Sequence, residues 1–355
     1  MKWLRFLLFP FSLIYWCVTM FRNFLFNSKI KRSLSFSLPI INVGNLSMGG
    51  TGKSPHTEYL VKLLKNNYNV ATLSRGYGRK VYGFQIADAN SSAHSIGDEP
   101  FQFFRKFGKE IIVAVDADRV NGVTEICYQK PETDVVLLDD AYQHRNIKPG
   151  LNILLTDYSN PFFTDYILPV GNLREAKTGK NRADIVVVTK CPSDFKKAEG
   201  SITRKTLKLT ANQKVFYSRI VYGEIKSLTN FNILSKTKKN IVLVTGIAKA
   251  EPLRCHLAKT HNICKHFEFA DHYRFKKKDI VEIHDILIKF ANDNPVVVTT
   301  EKDAMRLLNE DLLASLVEMP WFYQEISVEF NKPKEFKEII EKYVQENSRD
   351  YRIHS

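Results

Sequence analysis

A glycine-rich segment near the start of the chain constrains the fold more than any other feature. The apolar run Ile40 to Val43 predicts a buried strand, Ser47 to Ser54 contains three glycines, and a helical pattern follows from about Lys53 to Lys65. Strand, loop and helix in this order form a unit whose backbone amides bind phosphate groups. The sequence therefore predicts a phosphate-binding loop at the edge of a parallel α/β sheet.

The loop residues match the chemistry of a bound nucleoside triphosphate. Glycines let backbone N–H groups turn toward phosphate oxygens, while Lys53 is predicted to reach the β- and γ-phosphates and Ser54 to offer a hydroxyl to Mg²⁺. Ser47 stands where the usual pattern G-x-x-x-x-G-K-[ST] has its first glycine. The predicted nucleotide-binding residues are Ser47, Met48, Gly49, Gly50, Thr51, Gly52, Lys53 and Ser54.

Further apolar runs extend the α/β pattern through the chain. Short runs separated by helical or loop segments indicate a doubly wound, mostly parallel sheet. The predicted strands of the first half are Val70 to Leu73, Ile111 to Val115, Val135 to Leu138, Ile153 to Leu155 and Ile185 to Val188.

A second, smaller α/β domain is predicted after a polar, lysine-rich stretch at Gly223 to Lys239. A new strand, turn and helix begin at Ile241, and a helix at Lys278 to Asn292 lies between predicted strands at Phe267 to Phe269 and Val296 to Thr299. A boundary near 220–240 is the simplest division. A final helix, about Pro333 to Gln345, could pack on either half.

Two pairs of acidic residues are candidates for the chemistry. Asp139 and Asp140 follow a predicted strand, where carboxylates can bind Mg²⁺; simple helix caps are the alternative. Asp98 and Glu99 precede a proline and a helical pattern, which is typical of a helix start, yet an acid on a loop can also take the proton of an acceptor hydroxyl. The residues alone do not choose between Asp98 and Glu99.

The N-terminal segment is apolar and has basic flanks. No charged residue occurs from Phe6 to Phe21, and no acidic residue precedes Glu58. A membrane-spanning helix needs about 20 apolar residues, so this run, which also contains Pro10, is short for a span. Basic and aromatic residues favour the headgroup region. We expect residues 1–30 to form an interfacial membrane anchor helix; a helix buried on its own domain is the alternative.

The overall charge and the cysteines narrow the classes of partner. Lysine and arginine number 52 against 38 acidic residues, a net charge of +14 that favours anionic partners such as phosphorylated molecules, lipid headgroups or nucleic acid. The five cysteines are scattered without a C-x-x-C pair, so neither a disulfide framework nor a zinc site is predicted. A reducing cytosolic compartment fits this pattern.

Taken together, these motifs resemble the tetraacyldisaccharide 4′-kinase family, membrane-associated enzymes that phosphorylate the lipid A precursor. The departures from its common pattern are Ser54, Ala141 and Ala176, where Thr, Gly and Pro are frequent. The matching stretches run in order along nearly the whole chain: Val43 to Asn45, Gly49 to Ser54, Ser74 to Gly78, Gly97 to Pro100, Asp139 to Arg145, Leu168 to Glu175, Val186 to Lys190, Asp271-His272 and Thr300 to Asp303.

The resemblance implies a role for several residues. Asp98 would be the base that activates the sugar 4′-hydroxyl, supported by His272 from the second domain. Lys53 would act on the phosphates, while a metal site would comprise Ser54, Asp139, Asp140 and Glu99. Arg119 would be a helper of this site, as would Glu99. Further candidates, without a firm physical role, are Arg75, Gln143, His144 and Arg174.

The resemblance also implies an architecture and a location. A P-loop NTPase-like ATP-binding domain would be joined by a two-stranded linker to a smaller α/β lid, closing over ATP, Mg²⁺ and a lipid disaccharide. The enzyme would lie at the cytoplasmic face of the inner membrane through its N-terminal helix. We assign residues 1–30 to the anchor, 31–222 to the kinase domain, 223–240 to the linker, 241–330 to the lid and 331–355 to a C-terminal helix and tail.

Two other classes compete with a lipid kinase. A membrane-associated P-loop ATPase or GTPase could switch partners by hydrolysis, although Pro192 replaces the aspartate of a guanine-reading T-K-x-D. A nucleic-acid binder would use the basic charge, but no recognised module is present, so no nucleic-acid partner is predicted. No obligate protein partner is evident from the sequence.

Overall fold

The computed structural model describes residues 3–348 except 230–231, 235–236, 238, 291–293, 309 and 318. Twelve strands alternate with helices along this part of the chain. The strands are β1 (Ile40–Asn45), β2 (Val70–Ser74), β3 (Gln85–Ile86), β4 (Ile112–Val115), β5 (Val135–Asp139), β6 (Leu151–Asp157), β7 (Ile185–Thr189), β8 (Lys214–Ser227), β9 (Asn240–Thr245), β10 (Asn262–Glu268), β11 (Val296–Thr300) and β12 (Trp321–Phe330).

The helices lie between these strands and at both ends of the chain. They are α1 (Phe9–Asn27), α2 (Lys53–Leu64), α3 (Ala93–Ile96), α4 (Asp98–Phe107), α5 (Arg119–Gln129), α6 (Phe195–Ser201), α7 (Glu251–Leu257), α8 (Lys277–Lys289), α9 (Glu301–Leu307), α10 (Glu310–Val317) and α11 (Pro333–Asn347).

One sheet runs through the molecule in the order β10-β9-β11-β12-β8-β7-β6-β1-β5-β2-β4-β3. Most neighbours are parallel, as predicted, and the long strands β8 and β12 are antiparallel. This antiparallel pair joins the sheet of the first half (β1–β8) to that of the second half (β9–β12). The predicted doubly wound α/β architecture is confirmed.

The burial of the central strands explains why the strands of the first half could be predicted from the sequence. Every residue of β1, β5 and β7 is buried. Strands of a parallel sheet covered on both faces consist of continuous apolar residues, because helices shield them from water on each side. The apolar runs therefore located these strands to within one or two residues.

Strands β8 and β12 were not predicted. Their residues alternate irregularly between buried and partly exposed positions, so neither strand contains the continuous apolar run used for prediction. β8 continues to Ser227, past the proposed boundary at residue 222. The linker at 223–240 includes residues outside the described part of the chain, and the domain boundaries stay a prediction.

The C-terminal helix packs on the first half. Phe336, Ile340 and Val344 of α11 are buried in the same core cluster as the first-half strands. The hydroxyl of Tyr343 also bonds to the backbone carbonyl of Ile40 at 3.1 Å. The sequence had left this placement open, since an amphipathic helix fits any complementary apolar surface.

The N-terminal helix is longer than the apolar run suggested. An apolar helical stretch extends over Arg5–Asn27, 23 residues, which is long enough by length and composition to cross a membrane. Pro10 lies at the start of α1, where the missing N–H removes no helical hydrogen bond. Pro10 therefore does not interrupt the helix, contrary to the argument from sequence.

The same helix turns its polar side toward the protein and its apolar side outward. Ser12 and Thr19 are its buried residues. Its polar side chains bond to the segment 165–175: Ser12 Oγ accepts from Val170 N (3.1 Å), Tyr15 OH donates to Arg174 O (2.8 Å) and Asn23 Nδ2 donates to Glu175 Oε2 (3.0 Å). The exposed apolar residues include Phe9, Phe11, Leu13, Ile14, Val18 and Phe21.

Candidate active site

The phosphate loop has the backbone shape that its glycines predicted. Gly49 and Gly52 adopt φ of +103° and +91°, values that side-chain-bearing residues rarely adopt. Gly52 immediately precedes α2, which begins at Lys53. Two features of the predicted unit therefore coincide: a loop with left-handed glycines and a helix N-terminus that favours bound anions.

Neighbouring strand ends brace this loop. The side chain of Asn45 donates to Thr51 Oγ1 at 2.8 Å, and the hydroxyl of Thr189 donates to the Thr51 carbonyl at 2.8 Å. Lys190 contacts the Gly50 carbonyl and forms an ion pair with Asp157 at 3.0 Å. These contacts fix the loop from β1 and β7, which both belong to the first half.

Lys53 and Asp140 are neighbours at the mouth of the loop. Their Nζ and Oδ2 atoms lie 3.6 Å apart, and Arg174 donates to Asp140 Oδ1 at 2.9 Å. Burial by itself would raise the pKa of Asp140, but Lys53 and Arg174 outweigh it and lower this pKa. Asp140 is therefore a carboxylate held ionised between two cations.

Asp139 lies deeper, at the end of β5. It is buried, and Thr57 Oγ1 donates to Asp139 Oδ1 at 3.3 Å. Burial, followed by the nearby Glu99 and Asp140 carboxylates, raises the pKa of Asp139 to about 7. Negative charges on neighbouring carboxylates thus repel one another, which makes ionisation of Asp139 less favourable.

This donor set fits Mg²⁺ bound together with a nucleotide. Within the described ranges, no group of three or more histidine, cysteine, aspartate or glutamate side chains forms a ready metal centre. Mg²⁺ usually takes one or two protein carboxylates and completes its shell with phosphate oxygens and water. A dication beside Asp139 would offset the carboxylate repulsion there. The metal ligands Ser54, Asp139, Asp140 and Glu99 stay a prediction.

Asp98 and His272 come from opposite halves of the molecule and approach each other. Asp98 is the first residue of α4, and His272 lies in the loop after β10 with φ of +58°. Asp98 Oδ2 and His272 Nδ1 are 4.0 Å apart. A non-glycine residue at positive φ is uncommon and often marks a functional position.

The adjacent Glu99 is paired with Lys302 of the second half. Their Oε1 and Nζ atoms are 3.0 Å apart. Burial alone would raise the pKa of Glu99, but Lys302 outweighs it and lowers this pKa to about 2. Glu99 is therefore ionised and forms an ion pair between the two halves of the molecule.

The remaining candidates lie around Asp140. Gln143 Nε2 donates to the Asn45 carbonyl at 2.9 Å, and a cavity of about 220 Å³ is lined in part by Arg119 and His144. Burial, followed by Arg119 and Arg75, lowers the pKa of His144 to about 4, so its imidazole is neutral at pH 7.

Sequence reasoning missed two charged residues that complete this region. Arg306, on α9, donates to Asp98 Oδ2 at 2.7 Å. Glu175 is fully buried, pairs with Arg182 at 2.7 Å and accepts from Gln143 at 3.0 Å. Arg306 lies one helical turn after Asp303 of the matched motif, which was the only available signal. Glu175 belongs to a matched motif but had no assigned role.

Comparison with known proteins agrees with the geometry. A family model described as Tetraacyldisaccharide-1-P 4′-kinase matches residues 4–345. The chain is 44% identical over 353 residues to a Tetraacyldisaccharide 4′-kinase of Flavobacterium johnsoniae, covering 98% of this chain and 99% of that protein. It is also 44% identical over 365 residues to one of Bacteroides thetaiotaomicron, covering 98% and 94%.

A solved structure has the same fold. The "apo" form of LpxK from Aquifex aeolicus in complex with ATP superimposes with a TM-score of 0.75 at 27% identity, over 96% of this chain and 99% of that chain. The sequence match and the structural match both span the phosphate loop and the second half. The chain belongs to the tetraacyldisaccharide-1-P 4′-kinase family.

Proposed function

We propose that this chain transfers the γ-phosphoryl group of ATP to the 4′-hydroxyl of a tetraacyldisaccharide 1-phosphate, giving lipid IVA in lipid A biosynthesis. The observation that carries the proposal is a braced phosphate loop together with Asp98, which residues of the other half hold in place. A phosphate loop alone serves many activities. A phosphoryl acceptor hydroxyl also needs a base to take its proton, and the carboxylate of Asp98, held across the junction, can serve as that base.

The proposed mechanism assigns each step to particular side chains. Asp98 takes the proton of the 4′-hydroxyl while the oxygen of this hydroxyl attacks the γ-phosphorus. The bond between the γ-phosphorus and the β–γ bridging oxygen breaks, which releases ADP. Loop amides and Lys53 stabilise the charge on the phosphoryl oxygens. Ser54 and Asp139 would hold Mg²⁺, which would neutralise phosphate charge there.

Label transfer tests this function directly. Purified protein is incubated with γ-labelled ATP, Mg²⁺ and the disaccharide lipid, and the label is followed into the lipid fraction. We expect lipid labelling that EDTA abolishes and added Mg²⁺ restores. ATP hydrolysis without lipid labelling would favour the membrane-associated ATPase instead.

We also propose that the two halves of the molecule have different roles in the reaction. Residues 31–222 bind the nucleotide, and residues 241–330 supply His272 as a lid. The ion pair between Glu99 and Lys302 supports this division because it joins the halves next to the acceptor site.

The membrane location is proposed from the orientation of α1. A helix that faces its own protein with polar side chains and exposes apolar ones has the reverse of the usual pattern for a water-facing helix. Phe11, Ile14 and Phe21 are 61%, 62% and 64% exposed. We propose that this face is buried in the cytoplasmic leaflet of the inner membrane, close to the acyl chains of the substrate.

Vesicle flotation tests the location without removing the helix, whose polar contacts hold segment 165–175. We expect the triple variant Ile14→Ser, Val18→Ser, Phe21→Ser to lose vesicle binding and retain ATP binding. The matched control is Val281→Ser with Ile288→Ser, which replaces exposed apolar residues on α8 (58% and 62% exposed). Equal flotation of the triple variant and the wild type would contradict the proposal.

A further inference from the structure

A buried arginine of the second half has no place in the sequence motifs, yet it contacts both proposed acceptor-site residues. Arg306 lies on α9, and its side chain is only 5% exposed. α9 begins after Thr300, whose hydroxyl accepts from the Asp303 N–H at 3.1 Å. Burying a charged group is costly unless it is paired and hydrogen-bonded, so its partners indicate why it is there.

One edge of the guanidinium is fixed within the second half. Nη1 donates to Asp303 Oδ1 at 2.8 Å and to the Gly246 carbonyl at 3.0 Å. Asp303 is itself held, because Oδ2 accepts from Gly246 N at 2.8 Å and from the Thr300 hydroxyl at 2.7 Å. The planar guanidinium therefore has a set orientation before it reaches the first half.

The other nitrogens hold Asp98 and His272 together. Nε donates to Asp98 Oδ2 at 2.7 Å, and Nη2 lies 3.1 Å from His272 Nδ1. An arginine nitrogen can only donate, so His272 Nδ1 is the acceptor and the ring hydrogen is on Nε2. Within the described part of the chain, no hydrogen bond engages Asp98 Oδ1. Among the described residues, Asp98 Oδ1 and the His272 Nε2–H therefore have no hydrogen-bond partner.

We propose that Arg306 is a positioning residue for phosphoryl transfer. It fixes Asp98 Oδ2 and His272 Nδ1 as one unit across the junction, leaving Asp98 Oδ1 to take the proton of the acceptor hydroxyl. The inference rests on the proposed function, because it needs Asp98 as the base. A displacement of about 1 Å at a reacting group can cost about 10²-fold in rate, so the loss of this unit should be large.

Two substitutions test the geometry of the hold. Arg306→Met removes every contact, whereas Arg306→Lys keeps the buried charge but cannot bond Asp98, His272 and Asp303 at once. We expect Arg306→Met to lower kcat about 10²-fold and Arg306→Lys to recover only part of it, both with unchanged ATP affinity. Arg306→Lys supplies the comparison even if Arg306→Met does not fold.

A matched control separates positioning from general loss of an ion pair. Arg219→Met removes an arginine–carboxylate pair of similar length, 2.8 Å to Glu329 against 2.7 Å from Arg306 to Asp98, on the exposed side of the β8–β12 pair. We expect its kcat to equal that of the wild type. If Arg306 had only a structural role, the kcat of Arg306→Lys would also equal that of the wild type.

A double-mutant cycle with Asp98→Asn supplies the decisive measurement. If Arg306 acts through Asp98, Arg306→Met has little further effect on kcat in the Asp98→Asn background. Equal effects in both backgrounds, or a wild-type kcat for Arg306→Lys, would overturn the inference. A wild-type protein that does not phosphorylate the lipid would overturn the proposed function instead, so the two failures are distinguishable.

Discussion

The phosphate loop and the proposed acceptor region of this protein are built in opposite ways. The loop is one continuous segment, Ser47 to Ser54, braced by the ends of β1 and β7 in the same half. The acceptor region joins Asp98 and Glu99 to His272, Lys302 and Arg306 from far along the chain. We call this second group the cross-half cluster.

With the proposed roles, ATP binding and phosphoryl transfer would depend on different parts of the fold. The hydrogen bonds that brace the loop come from the first half. The cross-half cluster exists only while the β8–β12 pair keeps the two halves in contact. Substitutions in the cluster should therefore reduce transfer with little change in ATP binding, while substitutions in the loop should reduce both.

The largest effect on transfer is expected from Asp98→Asn. Removing a general base costs about 10²- to 10⁴-fold, while the similar size of asparagine preserves the fold. We expect kcat to fall by this factor with ATP affinity unchanged, as measured by steady-state kinetics and calorimetry. Near-normal turnover in this variant would end the assignment of Asp98 as the base.

A somewhat smaller loss of turnover is expected from Lys53→Met, together with weaker ATP binding. Lys53 is the loop cation, and removing one charge-stabilising donor costs about 10²- to 10³-fold in kcat. The contrast with Asp98→Asn is the diagnostic feature, because only the loop variant should change ATP affinity. A Lys53→Met variant with wild-type ATP affinity would contradict the division between loop and cluster.

The junction itself is tested by Lys106→Met. Lys106 pairs with Glu58 (2.5 Å), Glu301 (2.8 Å) and Glu325 (3.5 Å), which come from both halves. Removing one partner of a buried ion pair destabilises by about 3–5 kcal/mol. We expect such a loss in chemical denaturation.

The matched control for Lys106→Met is Lys337→Met, which breaks an exposed pair with Glu341 on α11 at 3.6 Å. Exposed helix pairs contribute about 0.3–0.5 kcal/mol. Equal losses of unfolding free energy in the two variants would show that the ion pairs of Lys106 do not hold the halves together.

The smallest expected effect concerns the pH dependence of the loop half. His56 is buried between the Gly52 carbonyl and Ser218 Oγ, and burial lowers its pKa to about 4. Between pH 6.5 and 4 the unfolded chain binds a proton that the folded chain does not. Its contribution to stability is therefore complete above pH 6.5 and is lost on acidification toward pH 4.

The loss amounts to about 3 kcal/mol, at about 1.4 kcal/mol for each pH unit between the two pKa values. We expect His56→Gln to flatten the pH dependence of the unfolding free energy in this range, measured by denaturation at several pH values. An identical pH dependence in the variant and the wild type would contradict the role of this histidine.

Much of the fold could be predicted because burial and sequence pattern coincide there. β5 is an apolar run that ends in Asp139, and α2 begins where Gly52 and Lys53 predicted it. β8 and β12 could not be found in this way, since strands at the junction are only partly covered and their sequences mix polar and apolar residues. Pro10 was counted against a long helix in the prediction from sequence, and this was wrong because a proline in the first turn of α1 does not interrupt the helix.

By itself, the sequence determined the phosphate loop, the parallel sheet around it and the family, because each depends on residues that are close together or on motifs in a fixed order. Only the tertiary structure decided the cross-half cluster. Ion pairs between Asp98 and Arg306 or Glu99 and Lys302 leave no periodic trace in the chain. They arise because the β8–β12 pair brings the two halves into contact, and contacts of this kind depend on distance in space.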